Sequence, residues 1–392
     1  MIVQKYGGVC LETPERINQV AQSVAALAKQ ERGVIVVVSA MGKTTDDLVR
    51  LAYQVSPHPD RRELDMLLTT GERISMALMG MALNDLGCRA ISFTGSQAGV
   101  MTDGSHSSAR IVDVRPVRLQ EELDRGRVIV LAGFQGVDPV TKEITTLGRG
   151  GTDTTAVAMA AKFHATRCEI IKEVDGVCSA DPKIVPGART WPRLTYAALR
   201  EMCFWGAKVL HYRSIAFADE QQVKLVIKKW GSPLATEIVR EDKTMENCKI
   251  LSVNSHSRIE QLKIEAPHLN AAFARLDEHL SEHRLPRPQI LSSSFDHPAA
   301  RVVFAGDTDA LDALLRTLQD HKSIKTVKKA LSSISITCHG SVATDLSSRV
   351  MLSLASESIF VDQLLFTPMS ITVCVPPEQR DRAIQTLHKL MG

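Results

Sequence analysis

Along residues 1–245 the apolar positions follow two alternating rhythms. Runs at 2–5 (IVQK) and 34–39 (VIVVVS) predict buried strands. Between them Ile17, Val20, Ala21, Val24, Ala25 and Leu27 recur at helical spacing, which predicts a helix over 14–30. The same reading gives helices over 45–55 and 63–86 and strands over 89–94 and 127–132. A helix from near Asp153 through Lys162 follows, then strands over 168–171 and 223–228. Strands alternating with helices in this way specify an α/β domain.

The rhythm breaks over 230–247, a polar stretch without apolar period that reads as a junction. Beyond it the units shorten. Strand 259–266, helix 270–283, strands 289–293 and 300–305 and helix 308–321 follow one another, and a strand over 325–330 leads onward. A second set comprises strand 332–338, helix 343–355, strands 359–365 and 370–375 and helix 377–391. Two ferredoxin-like βαββαβ units in tandem account for this order. The chain is thus expected to divide into 1–245, 246–330 and 331–392.

Composition narrows the class. Hydrophobic content of 44% and charged content of 23% are those of a soluble globular protein. A net charge of +3 argues against dedicated nucleic-acid binding, which needs a strong basic excess. The first residues run from a strand into glycines with no signal-peptide pattern, and no apolar run reaches the length of a membrane span. The eight cysteines are scattered, with no CxxC pair and no zinc spacing, as in a chain kept in a reducing cytosol.

Five segments carry candidate chemistry. In Leu147-Gly148-Arg149-Gly150-Gly151-Thr152-Asp153 a glycine-rich turn enters a helix, where backbone amides and the helix terminus favour an anion. There Arg149 offers a fork for a carboxylate and Asp153 an anion for an ammonium. Alternatively, the segment is a plain glycine turn with a capping residue. Lys5-Tyr6-Gly7-Gly8 sets a lysine beside glycines at a strand end, suited to phosphate oxygens or simply to a tight turn. Ser39 to Asp47 carries hydroxyls between strand and helix; Thr44 or Thr45 suits equally the cap of that helix, and no Walker P-loop occurs. Glu72, in TTGER, suits a substrate ammonium or the first turn of a helix. Finally, Glu173 to Lys183 forms an acid- and lysine-bearing loop suited to a nucleotide, or to a solvated surface.

Order and spacing of these segments resemble the amino-acid kinase domain of aspartate kinases. KYGGVCLE, VVVSAMGKTTDDL, LLTTGERISMALM, SFTGSQAGVMT, VIVLAGFQGVD, ITTLGRGGTDTTAVAMAA, DGVCSADPKIVPGAR and GAKVLHYRS carry the resemblance. TTGER together with GRGGTDTTA separates aspartate kinases from other kinases of that fold. The implied fold is a three-layer α/β sandwich followed by a pair of ferredoxin-like, ACT-like domains. The implied reaction is transfer from ATP, with Mg2+, to the side-chain carboxylate of L-aspartate, the first step towards lysine, threonine and methionine. By the resemblance, Lys5 and Lys208 contact the phosphates, Gly7 and Gly8 line them, and Glu173, Asp181 and Lys183 lie at the nucleotide. Arg149 clamps the α-carboxylate, Glu72 and Asp153 hold the ammonium, and Ser39 and Thr45 orient the reacting carboxylate. A cytoplasmic location and a dimer or larger assembly through the ACT-like domains are also implied.

Three departures stand out. Relatives carry two hydroxyl residues after KYGG, whereas this chain has Val9 and Cys10. They carry [ST]-D ahead of VDGVY, where this chain has Lys172-Glu173 and then Cys178 in place of the tyrosine. The D-x-P-G element of effector-binding ACT loops is Glu265-Ala266-Pro267-His268-Leu269, which lacks the glycine. Weak or absent feedback by lysine or threonine is the consequence expected. The first two departures also motivate alternatives: a non-catalytic regulatory or scaffold subunit, or a kinase of a related amino acid.

Overall fold

The computed structural model describes residues 1–240, 249–283, 285, 287–306, 308–318, 321–327 and 330–391. It forms two compact units. One comprises Met1–Val177, Thr190–Cys203 and Lys208–Asp242, the other Cys178–Arg189, Phe204–Ala207 and Lys243–Gly392.

In the first unit eight strands make one sheet. Their spatial order is Arg193–Thr195, Ala235–Val239, Leu225–Lys229, Arg167–Lys172, Ile2–Tyr6, Val34–Val38, Val128–Ala132 and Ala90–Phe93. The central strand Ile2–Tyr6 pairs in parallel with Val34–Val38 and with Arg167–Lys172. Parallel strands covered on both faces read as continuous apolar runs, and Val34–Val38 is buried at every position. On one face Val34, Val36 and Val38 pack with Ile17, Val20 and Val24 of helix Pro14–Ala28 and with Met79 and Leu83 of helix Arg61–Asp85. On the other lies helix Gly151–Lys162, buried from Gly151 through Ala160. The result is the three-layer sandwich expected.

Alternation along the central strand sorts its polar residues. Gln4 Nε2 donates to Glu169 Oε2 at 2.7 Å and the Tyr6 hydroxyl donates to Gln4 Oε1, both on the face opposite Lys5. A second, four-stranded sheet of very short strands runs Ile111–Val114, Val100–Thr102, Gln135–Val137 and Ile144–Thr146. None of these strands stands out in the sequence, yet they carry the loops around Ser107 and Gly148. The stretch 230–247, expected as a junction, contains strand Ala235–Val239, which pairs with two neighbours; residues 241–248 lie outside the described residues.

The second unit holds a seven-stranded sheet. The strand expected over 259–266 starts earlier and runs Ile250–Glu265. Its C-terminal part pairs with Ala299–Ala305 and Ile324–Thr326, and its N-terminal part with Leu331–Cys338. The register shifts between His256 and Ile259, where the first partner gives way to the next. One strand therefore serves two ferredoxin-like units. The first unit is nested between the edge strand of the second unit and that unit's remaining strands, rather than simply preceding it. Gln363–Phe366, expected over 359–365, and helix Leu346–Ser356, expected over 343–355, complete the second unit with Ser370–Val375 and Arg380–His388.

Candidate active site

Lys5 lies one residue from the end of the central strand, and Asp153 lies in the first turn of helix Gly151–Lys162. Their ammonium and carboxylate meet at 2.7 Å, both almost fully buried. Burial by itself would push the Asp153 carboxyl up; the Lys5 ammonium, then Lys172, overcome it and hold the carboxyl below its ordinary value. A buried ion pair contributes little net stability, because desolvation offsets attraction, which makes this one a candidate functional site.

Glu72 supplies the second charged group. It lies mid-helix in Arg61–Asp85, not in a first turn, so macrodipole compensation does not account for it. Its Oε1 accepts from the Ala40 N–H at 3.1 Å. Its Oε2 is buried and finds no partner among the described residues. Burial raises this carboxyl to about 7, against the lowering effects of the Ala40 N–H and Lys5.

The loop that meets Glu72 is tied to the Gly7-Gly8 turn. Ser39 N–H donates to Tyr6 O at 3.2 Å, and Gly42 N–H donates to Gly8 O at 3.0 Å. A Cβ on Gly8 would stand 2.7 Å from Ala40 O, so only glycine permits this approach. Gly7 N–H donates to Ile171 O, and its own Cβ position would lie 3.9 Å from Lys5 Nζ. Thr45 is in the first turn of helix Thr44–Val55, whose N-cap is Lys43 with no side-chain capping bond. The expected capping by Thr44 or Thr45 is therefore not what starts this helix.

Around Arg149 the glycines take left-handed conformations, with φ +69° at Gly148 and +73° at Gly150. Residues from GAKVLHYRS hold this loop, although only Lys208 of that motif was singled out in the sequence. A Cβ on Gly150 would lie 2.3 Å from His211 Cβ. The Ser214 hydroxyl donates to Gly150 O at 3.3 Å, and the Arg213 guanidinium donates to Leu147 O and Ala109 O. Burial, then Arg213 and Arg149, push His211 down to about 4, so its neutral Nδ1 accepts from the Arg213 N–H and caps helix Tyr212–Glu220.

Asp65 was also missed. It is fully buried and accepts from Ser107 N–H, from the Thr146 hydroxyl at 2.6 Å, and lies 2.8 Å from His106 Nδ1. Ser107 O in turn would stand 2.9 Å from a Cβ on Gly148. Asp65 thus anchors the loop against which the Arg149 turn packs. The seven-residue spacing between Asp65 and Glu72 puts both on one helix face, a signal the sequence did contain. Asp65→Ala should cost about 1–3 kcal/mol for each donor it orphans. The expected readout is a lowered thermal midpoint together with a raised substrate KM; an unchanged KM would remove Asp65 from the support of the Arg149 turn.

The remaining expected residues are more dispersed. Lys208 is exposed ahead of helix Tyr212–Glu220 and makes no hydrogen bond or ion pair among the described residues. Glu173 is exposed and lies 3.8 Å from Arg16, which also donates to Val9 O. Cys10 is buried with Sγ directed to Ile171 O. Asp181 and Lys183 belong to the second compact unit, where Asp181 Oδ1 accepts from the Lys183 N–H at 2.9 Å in a local turn. Among the described residues no group of three His, Cys, Asp or Glu side chains converges on one point.

A lysine on a central strand, a glycine turn and a buried carboxylate at a helix start define a kinase of small metabolites, and residues 1–229 match the amino acid kinase family. Within that family the chain belongs to the aspartokinases. It is 38% identical to an aspartokinase of Mycolicibacterium smegmatis, across all of this chain and 96% of that protein. It is 36% identical to one from Bacillus sp. (strain MGA3), across 99% of this chain and 96% of that protein. With an aspartokinase of Corynebacterium glutamicum it shares 53% identity over 58% of its own length and 54% of the relative's. Escherichia coli aspartokinase III in complex with aspartate and ADP (R-state) has the same fold, with TM-score 0.79 and 20% identity, each chain 99% covered. Synechocystis aspartate kinase aligns with TM-score 0.56 at 32% identity, over all of this chain and 69% of that one.

Proposed function

We propose that this chain transfers the γ-phosphoryl group of ATP to the β-carboxylate of L-aspartate, giving 4-phospho-L-aspartate. The carrying observation is the buried Glu72 oxygen without a partner, which calls for a cationic group from a substrate. The α-ammonium of an amino acid supplies it. Arg149 would take the α-carboxylate as a bidentate fork, while Ser39 and Thr45 orient the side-chain carboxylate. That carboxylate is already ionised at neutral pH and attacks without a general base.

Asp153 is engaged by Lys5, so its part is to position the Lys5 ammonium rather than to share the substrate's. Lys5 then meets the charge that spreads over the transferring oxygens, where positioning and neutralisation do most of the catalysis. Gly7 and Gly8 line the phosphates, and Lys208 and Glu173 serve the nucleotide. The donor set suits Mg2+ held chiefly by phosphate oxygens, since Asp153 is occupied and no protein cage is evident among the described residues. Bound there, Mg2+ would neutralise phosphate charge.

Retention of the buried Lys5–Asp153 pair and of Glu72 supports an active enzyme over a scaffold subunit. The test is ADP release with aspartate, succinate and asparagine as acceptors. Aspartate alone should support turnover. Equal turnover with succinate, which has no ammonium, would sink the role given to Glu72.

Glu72 also sets a pH dependence. Only its ionised form pairs with an ammonium, so kcat/KM for aspartate should fall as pH drops below about 7. Glu72→Gln should remove that acid limb while raising KM; a limb that persists in this variant assigns it to another group.

In the second unit His268 occupies the loop where an effector cradle would need glycine. Its Nδ1 accepts from the Ala271 N–H and caps helix Leu269–Glu282. Calorimetric titration with lysine or threonine should show no saturable binding; tight binding of either would contradict this reading.

A further inference from the structure

Lys172, where relatives carry serine or threonine, has no assigned part in the scheme above. Its position is set by strand register. Lys5 pairs with Ile170 on the neighbouring parallel strand, and alternation puts Lys172, two residues on, on the same face as Lys5. This is also the face covered by the helix that carries Asp153. The carbonyl of Ile171, one residue earlier, accepts from Gly7 N–H, so the Lys172 backbone emerges beside the phosphate turn.

The charges around it do not balance. Lys5 on the central strand and Asp153 on helix Gly151–Lys162 act on Lys172, as do Cys10 on the turn Gly8–Leu11 and Cys203 on helix Tyr196–Phe204; Lys229 is its register partner. Burial raises the Cys10 thiol and pushes Cys203 up to about 11, so both stay neutral near pH 7. Lys5 and Lys172 therefore both draw on the Asp153 carboxylate; Lys5 and Asp153 are buried and Lys172 is half-buried. Burial, and then Lys5, hold the Lys172 ammonium below its ordinary value despite Asp153, the expected signature of a cation short of an anion. Close by, the hydroxyls that relatives place after KYGG are replaced by Val9 and Cys10, and the Cys10 thiol is turned to Ile171 O.

We infer that Lys172 is a further phosphate-binding cation, which closes with Lys5 on the terminal phosphates of the nucleotide and replaces the missing hydroxyl donors. The inference rests on the kinase reading above. It assigns this chain a second strand-borne ammonium beside Lys5, at a position where the family motif has a hydroxyl residue.

The test is calorimetric binding of ADP alone, without aspartate, across neutral to alkaline pH, for the whole chain and two variants. Lys172→Met should weaken ADP binding by about tenfold to a hundredfold, the range for a lost hydrogen bond to a charged group. Its thermal midpoint should not fall, because the repulsion between Lys172 and Lys5 is relieved. Affinity of the unaltered chain should decline as rising pH neutralises Lys172. Lys172→Arg should keep the affinity and lose that decline, since a guanidinium stays charged. Inorganic tripolyphosphate should compete with ADP on the unaltered chain and at least about tenfold less well on Lys172→Met. If Lys172→Met binds ADP with the unaltered affinity and pH profile, this inference fails and the kinase reading stands. If it weakens binding only with a fallen midpoint, and Lys172→Arg does not restore affinity, Lys172 is structural and the inference fails. If the unaltered chain binds no ADP, both fail.

Discussion

Lys5→Met is expected to lower kcat by about 10²–10³-fold, the cost of removing one preorganised charge from a phosphoryl-transfer site. The effect should fall on kcat rather than on KM for aspartate. Lys5 is locked to Asp153 before substrate arrives, and the Glu72 oxygen that waits for the substrate ammonium has no hydrogen-bond partner of its own among the described residues. A group fixed in that way needs no reorganisation when charge develops on the transferring oxygens. Steady-state kinetics at saturating ATP separate the two parameters. A variant with near-normal kcat and a raised aspartate KM would place Lys5 in substrate binding instead.

The second large effect concerns stability. Asp153→Ala should destabilise the chain by about 3–5 kcal/mol, because Lys5 would be left buried without its counter-charge. The double variant Lys5→Met, Asp153→Ala should recover much of this loss and none of the activity, since it removes both charges together. Denaturant unfolding of the two single variants and the double one closes the cycle. If the double variant is as unstable as the sum of the singles, the two residues are energetically independent and the pair does not hold the site together.

The sequence revealed the parts of this site that carry charge on regular elements. Lys5 stood near the end of a strand before a glycine turn and Asp153 at the start of a helix, so their types and places were legible. Their pairing was not, because it depends on the helix crossing the sheet above the central strand. Glu72 was correctly singled out, but its burial is a property of the packed helix rather than of its neighbours in sequence. Asp65, His211, Arg213 and Ser214 act by bonding loop backbone, and residues that hold other residues' carbonyls and amides leave little mark in a pattern of charges. The four short strands behind them are too brief to show alternation. In the second unit, the strand Ile250–Glu265 was read only in its C-terminal half. Its N-terminal half, ILSVNSHSR, is largely polar yet mostly buried, because Leu331–Cys338 pairs alongside it. That pairing joins residues far apart in the chain and is set by the tertiary fold.

The central claim is that the Glu72 and Arg149 side of the site receives aspartate while the Lys5–Asp153 pair serves the transferred phosphoryl group. It is tested most directly by incubating the purified chain with ATP, Mg2+ and hydroxylamine, and measuring hydroxamate as a function of aspartate. The account predicts hydroxamate that appears only with aspartate, saturates with its concentration and is nearly abolished in Lys5→Met. Absence of aspartate-dependent hydroxamate from the unaltered chain, or its persistence in Lys5→Met, would contradict it.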